Sequence, residues 1–272
     1  MALTKQTKGM TWEDAVLWLR QINTYHDLAR DCYYGDPLDQ ECRRYHHSPE
    51  WIAVRELLGK PVAGAKALDL GAGRGIVAYA LHMDGWQTTA LEPDPSGVVG
   101  RQAIEMIGIA GLKVVEGVGE NLPFPDSTFD IVIARATLHH SRDLDKLCKE
   151  AARVLKKGGK FLATREHIIS IREDLPLFLN KHPLHKLYGG ENAFTLKEYQ
   201  KAFRQSGLTM LKEFGPCCSD INLHPQTRKE HAQKRRKKLC YLVPTFVADR
   251  INIIRGKHSN EPGRLYSFVL TK

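Results

Sequence analysis

The stretch Asp69-Leu70-Gly71-Ala72-Gly73-Arg74-Gly75 sets one carboxylate and three alternate glycines directly behind a short apolar run. Alternate glycines strip Cβ atoms from the inside of a bend, so backbone N–H groups and the positive end of a following helix can reach a bound carboxylate. Asp69 closes the apolar run and is expected to face the same ligand. The spacing Gly-x-Gly-x-Gly departs from the dinucleotide pattern Gly-x-Gly-x-x-Gly because residue 76 is Ile, which argues against a pyrophosphate. A second acid, Glu92, ends the next apolar run and lies 21 residues beyond Gly71. At that distance a neighbouring strand delivers a carboxylate to a ribose diol, so two strand-end acids around one glycine turn suit a nucleoside.

A second group of residues titrates near neutrality. His167 follows the apolar run 160–164, and His182 and His185 belong to His182-Pro183-Leu184-His185-Lys186-Leu187-Tyr188-Gly189-Gly190-Glu191-Asn192. A positioned histidine adds about 10²–10⁴-fold to a reaction that must remove a hydroxyl proton, which makes these three the candidate general bases. No metal centre is expected. His182 and His185 are three apart and Glu166-His167 is nearby, but no second clear ligand pair accompanies them. The neighbours His139 and His140 cannot share one helical face, so at most one of them belongs in the site. Tyr33, Tyr34 and Tyr45 either wall the site or pack a helix onto the core.

These residues need strands to deliver them to one edge. Apolar runs at 67–70, 87–91, 112–115, 130–134, 160–164, 208–214 and 265–270 alternate with helical patterns, which predicts an α/β, doubly wound, mostly parallel seven-stranded sheet. Ligands on such sheets lie outside the carboxyl ends of the strands. Helices are expected over 11–30, from Pro49 to Leu58 with Ser48 as cap, after the glycine turn, over 96–107, and from Asp143 to Lys157 ended by Gly158-Gly159. Thr195-Leu196-Lys197-Glu198 is a capping box that opens one more. Residues 1–60 read as a helical leader or cap and 61–272 as the main domain. Two segments, 168–194 and 215–263, exceed ordinary connections and are expected to form a lid or substrate wall.

Forty basic against 31 acidic residues give a formal charge of +9. Much of it is the run 228–238, which reads as a solvated helix face or as a basic surface for RNA, an anionic glycan or a membrane. The six cysteines show no ligand spacing and no signal peptide is recognised, which together predict a reduced, cytoplasmic protein. No apolar run reaches the roughly 18 residues that span a bilayer, so membrane contact would be peripheral.

Five blocks in order carry a family resemblance. They are Asp69 to Gly75, Leu91-Glu92-Pro93-Asp94, Glu120-Asn121-Leu122-Pro123-Phe124, Phe129-Asp130-Ile131-Val132 with His139-His140, and Val154-Leu155-Lys156-Lys157-Gly158-Gly159. The sequence resembles the class I S-adenosylmethionine-dependent methyltransferases, especially the small-molecule branch similar to quinone-biosynthesis enzymes. The 182–192 insert resembles one in polysaccharide-associated methyltransferases. The resemblance implies a Rossmann-like fold and S-adenosyl-L-methionine as cofactor, held by Asp69, Gly71, Gly73, Gly75, Glu92, Pro93 and Glu120. Arg135, just past the run 130–134, is either placed near the methionine carboxylate or the acceptor or is a surface arginine. Where the family usually has an acid for the adenine amino group this chain has Val118, which shifts that role to Glu120, stacking or the backbone of 117–119. With the candidate histidines as bases, the expected reaction is methylation of an oxygen, or secondarily a nitrogen, of a small-molecule or sugar-containing acceptor. The alternatives are an RNA methyltransferase, which the basic run alone supports, and a silent cofactor-binding partner subunit.

Overall fold

In the computed structural model, which describes residues 9–272, one sheet organises the chain. Its strands are β1 (Lys66–Leu70), β2 (Gln87–Leu91), β3 (Lys113–Val115), β4 (Phe129–Arg135), β5 (Leu155–Ile169), β6 (Phe194–Thr195), β7 (Thr209–Phe214) and β8 (Arg264–Thr271). The order across the sheet is β3-β2-β1-β4-β5-β8-β7, with the short β6 paired to the far end of β5. Pairings from β3 through β5 are parallel, while β8 runs antiparallel between β5 and β7. The seven-stranded, mostly parallel sheet is therefore present, and β6 adds a two-residue eighth strand. The chain order reverses between β1 and β4, so the crevice at their carboxyl ends is the place where such sheets take a ligand.

Among the described residues twelve α-helices surround this sheet: α1 (Trp12–Gln21), α2 (His26–Asp31), α3 (Leu38–His46), α4 (Pro49–Leu58), α5 (Ile76–Met83), α6 (Arg101–Met106), α7 (Leu144–Val154), α8 (Leu175–Lys181), α9 (His185–Tyr188), α10 (Leu196–Gln205), α11 (Arg228–Lys238) and α12 (Thr245–Lys257). The central strands are apolar on both faces because each face has its own core. Leu68, Val132, Phe161 and Phe268 pack with α7 and α10 on one side, and Ala67, Ile133, Leu162 and Val269 pack with Trp51 and Leu81 on the other.

Three helix boundaries differ from those expected. The stretch 11–30 is two helices, because Ile22 turns extended ahead of Asn23 and Thr24, poor helix formers. Helix α6 starts only at Arg101, since Ser96 Oγ accepts from the N–H groups of Val98 and Val99 and holds 96–99 in a turn. Helix α7 ends at Val154 rather than Lys157. Leu155 pairs with Phe129, and Lys156 reaches back to both carboxylate oxygens of Asp130 at 2.9 and 2.8 Å, which draws 155–157 into β5. No helix of the described residues is long and apolar enough to cross a membrane.

Candidate functional site

The turn after β1 is pinned to the end of β2, because the N–H groups of Gly71 and Ala72 both donate to the Leu91 carbonyl at 3.0 Å. Gly71 has φ +70°, and a Cβ there would lie 2.4 Å from Thr137 Cγ2. Only glycine fits. At Gly73, φ +53°, a Cβ would lie 3.3 Å from the indole of Trp12, so the leader helix α1 covers the turn. Arg74 fastens the same junction: its guanidinium, buried, donates to the carbonyls of Tyr33 and Gly35 and to Asp36 at 2.8–2.9 Å.

The acids divide the work differently from the sequence expectation. Glu92 is buried and accepts from the N–H groups of Gly73 (2.7 Å) and Asp94 (2.9 Å). Burial raises its pKa against those two bonds. Asp69 is turned toward helix α5, accepting from the Ala78 N–H at 2.9 Å, and burial pushes its carboxyl up to about 7, with Ala78 opposing and the Glu92 charge adding. Glu120 is committed to the loop before α7, accepting from the Arg142 N–H at 2.9 Å. Pro93 lends its carbonyl to Arg101 at 3.2 Å. Arg135 forms a two-pronged pair with Glu50 at 2.6 and 3.1 Å, stacked over Tyr33 and Tyr45. Its guanidinium serves α4 and the leader, because the Glu50 carboxylate is fully buried and requires a partner. Tyr33 and Tyr45 are buried packing residues, whereas the Tyr34 hydroxyl accepts from Trp12 Nε1 at 3.3 Å beside the turn.

Beyond β4, Thr137 ties the turn to a cluster of imidazoles. The Glu166 carboxylate accepts from the N–H groups of Thr137, Leu138 and His139 at 3.0–3.1 Å and from His139 Nδ1 at 2.7 Å. Strand β5 carries His167, whose Nδ1 donates to the Gly263 carbonyl at 2.9 Å. Helices α8 and α9 fold the 182–192 segment over this edge: the His182 ring meets His167 edge-on with centroids 5.3 Å apart, and Glu191 is buried with Tyr188 Oη donating to its Oε1 at 2.7 Å. Burial pushes His167 down to about 3, with His139 adding, and His182 down to about 4 against the pull of Glu191. Burial likewise holds His139 well below its ordinary value. All three are neutral imidazoles at pH 7, and such low values make them weak proton acceptors. His185 opens α9 and gives its backbone N–H to His182 Nδ1 at 3.4 Å, its own Nδ1 being buried without a partner. His140 is half-exposed and donates from Nδ1 to the Gly190 carbonyl at 3.2 Å.

Similarity to known proteins falls on the first half of this geometry. Residues 68–163 match the family model described as "Methyltransferase domain". The uncharacterized methyltransferase YcgJ of Bacillus subtilis is 36% identical over 98 residues, 36% of this chain and 39% of that protein. The ubiquinone/menaquinone biosynthesis C-methyltransferase UbiE of Shewanella sediminis is 38% identical over 104 residues, 36% and 41% of the two chains. The matched stretch thus spans about two fifths of these relatives. Among solved structures, an S-adenosylmethionine-dependent methyltransferase from Mesorhizobium loti superposes with a TM-score of 0.58 at 17% identity, covering 84% of this chain and 100% of that one. A geranyl diphosphate methyltransferase in complex with SAM gives 0.58 at 16%, covering 88% and 94%.

Residues 68–163 carry a methyltransferase domain.

Within the methyltransferase domain the sequence hid two residues. Arg74 is an x position of the glycine pattern, and its partners Tyr33, Gly35 and Asp36 are some forty residues earlier. His139 stands next to a more exposed histidine, and only the cross-strand approach of Glu166 separates the two. The signal available in sequence was the acid just before His167 at the end of a buried strand.

Proposed function

We propose that the protein is an S-adenosylmethionine-dependent methyltransferase that modifies an oxygen of a small-molecule or sugar-containing acceptor. The observation that carries the reading is the Cβ-free cradle of Gly71 and Gly73 joined to the buried Glu92 at the switch point of the sheet. Such a cradle gives backbone close approach for a charged ligand, and Glu92 is placed for two ribose hydroxyls. Gly75 and Asp69 hold the following helix in place, Pro93 and Glu120 shape the rim, and the backbone of 117–119 supplies adenine contacts where Val118 cannot accept. When bound, the cofactor supplies an activated methyl group. The chain's own task is placement, since holding donor and acceptor in line removes much of the entropic barrier.

The oxygen preference rests on the other half of the site. Curated relatives include enzymes named for carbon and nitrogen methylation, so the domain alone does not select the atom. In a wall of neutral imidazoles folded over the strand ends by 172–193, His139 and His167 offer Nε2 lone pairs to a hydroxyl, and His182, whose Nδ1 is taken by the His185 N–H, offers a donor. Six free cysteines fit a reducing compartment, and we place the protein in the cytoplasm.

Incubation with methyl-labelled S-adenosylmethionine and a panel of glycosides, phenols and amines tests the reading. The expected product carries the label as a methyl ether. Label on carbon or nitrogen overturns the acceptor class, and absence of cofactor binding by calorimetry overturns the activity. His167→Ala and His182→Ala are expected to lower turnover at least tenfold with cofactor affinity kept, whereas His185→Ala changes mainly stability.

A further inference from the structure

His139, His167 and Glu191 come from three different elements, the turn after β4, strand β5 and the segment between α9 and β6, yet each offers a ligand atom within 4.8 Å of the other two. Each is oriented from behind. His139 Nδ1 is bonded to Glu166 and His167 Nδ1 to the Gly263 carbonyl, which leaves the Nε2 lone pair of both rings facing inward. Tyr188 Oη holds one oxygen of Glu191, and the other stands 3.7 Å from His139 Nε2. A carboxylate hydrogen-bonded to an imidazole whose far nitrogen is free is the supporting arrangement that fixes the tautomer of metal-bound histidines.

The Glu191 side chain is only 4% exposed, and its nearest cationic candidates are imidazoles at 3.7–3.9 Å. A buried carboxylate without a close cation is costly unless it coordinates a metal. His182 completes the wall without joining the set, because its Nδ1 accepts from the His185 N–H.

We propose that His139, His167 and Glu191 form a binding site for a divalent first-row transition ion such as zinc. Two imidazoles and one carboxylate leave further coordination positions open, the pattern of catalytic rather than structural sites. Donors on one such ion stand about 3.3–3.5 Å apart given bonds of about 2.0–2.2 Å, so seating it draws the set inward by about 1 Å. An open position would take an acceptor hydroxyl and lower its pKa, its proton leaving to solvent as the methyl group is transferred, a role that rests on the proposed methyl transfer. The metal site itself does not.

The test uses tag-free full-length protein stripped with a chelator and titrated with zinc chloride by calorimetry, with cobalt(II) absorption as an independent readout. One equivalent is expected. Glu191→Gln, which keeps the shape of the side chain, and His139→Ala and His167→Ala are each expected to weaken binding more than tenfold. Glu166→Gln should weaken it about 10–100-fold by loosening His139, while His47→Ala, at an exposed histidine outside the set, leaves it unchanged. Sub-stoichiometric binding, or binding that Glu191→Gln leaves intact, overturns the site. Circular dichroism and S-adenosylhomocysteine titration of the same samples separate the outcomes. A folded protein that binds the nucleoside but no metal refutes this inference alone, and one that binds metal but no nucleoside refutes the methyltransferase reading alone.

Discussion

Gly73 donates its backbone N–H to the carboxylate of Glu92 at 2.7 Å, so the turn after β1 and the acid after β2 are one unit rather than two separate ligand contacts. Removing the acid therefore releases the turn, besides deleting the carboxylate proposed for the ribose hydroxyls.

Glu92→Ala is expected to cost about 1.5–3 kcal/mol of S-adenosylhomocysteine binding, the range for hydrogen bonds to a charged group. That is roughly 10- to 150-fold in dissociation constant by calorimetry. Glu92→Gln keeps an oxygen for Gly73 and should lose less. An effect under about threefold for Glu92→Ala excludes it as the ribose ligand.

Gly71→Ala places a methyl group 2.4 Å from Thr137 Cγ2 at a φ of +70°. Left-handed backbone costs about 1–2 kcal/mol for a non-glycine residue, and overpacking adds about 1–3 kcal/mol. Both stability and cofactor affinity should fall, so the substitution is not a clean binding mutant. Pairing it with Thr137→Ala should recover part of the stability in urea denaturation but not the part due to φ.

The buried pair of Glu50 and Arg135 predicts an acid limb of stability. Burial alone would raise the Glu50 pKa, but the charges of Arg135 and Arg165 and the hydrogen bond from Arg135 outweigh it, and the net shift is downward. A carboxylate with a lowered folded pKa contributes stability above its unfolded value, about 4.3, and loses it as the pH falls through the folded one. Glu50→Gln should cost about 3–5 kcal/mol at pH 7, because it leaves Arg135 buried and unpaired. The gap to wild type should shrink below pH 4 in denaturant titrations.

Asp69 has the opposite sign. Its pKa is raised to about 7, so the stability it contributes is fully present below about pH 4 and is lost as the pH climbs through 7. Asp69→Asn keeps an acceptor for the Ala78 N–H and should flatten this dependence in the unliganded protein, by at most about 1.4 kcal/mol per pH unit across that window.

The basic helix α11 is expected to give no specific RNA binding. Arg235 and Arg236 hold the hairpin with α12 through Asn252 Oδ1 and the Val243 carbonyl at 2.9 and 3.1 Å, so neutralising them would confound structure with charge. Lys234, Lys237 and Lys238 are the better targets. Tight retention of RNA that falls steeply with salt and is lost in the triple glutamine variant would favour an RNA substrate.

The glycine turn and the sheet around it were legible because their signals are local in sequence. A glycine turn, a strand-end acid and a capping box are each set by neighbours within a few residues, and strand–helix alternation then leaves few sheet orders. The acceptor half depends on approaches between distant segments. Arg135 carries the same local signal whether it binds a ligand or pairs with Glu50, 85 residues earlier. Asp69 and Glu120 are likewise strand-end and loop acids whose hydrogen bonds to Ala78 and Arg142 exist only once α5 and α7 are docked. The end of α7 carries no local signal, because the pull on Lys156 comes from Asp130 across the sheet.

Strand β5 bears on how such a protein can change over time. The segment 170–193 leaves the sheet after Ile169 and re-enters beside it, since Ile168 and Ile169 pair with Phe194 and Thr195. Its two ends are thus clamped to each other at the far end of β5, on the edge opposite β8. Lengthening, shortening or recomposing this excursion need not disturb the register of β1, β2 and β4. Change within it is answered instead at the leader, where Leu184 and Leu187 pack with Ala15 and Leu19 of α1.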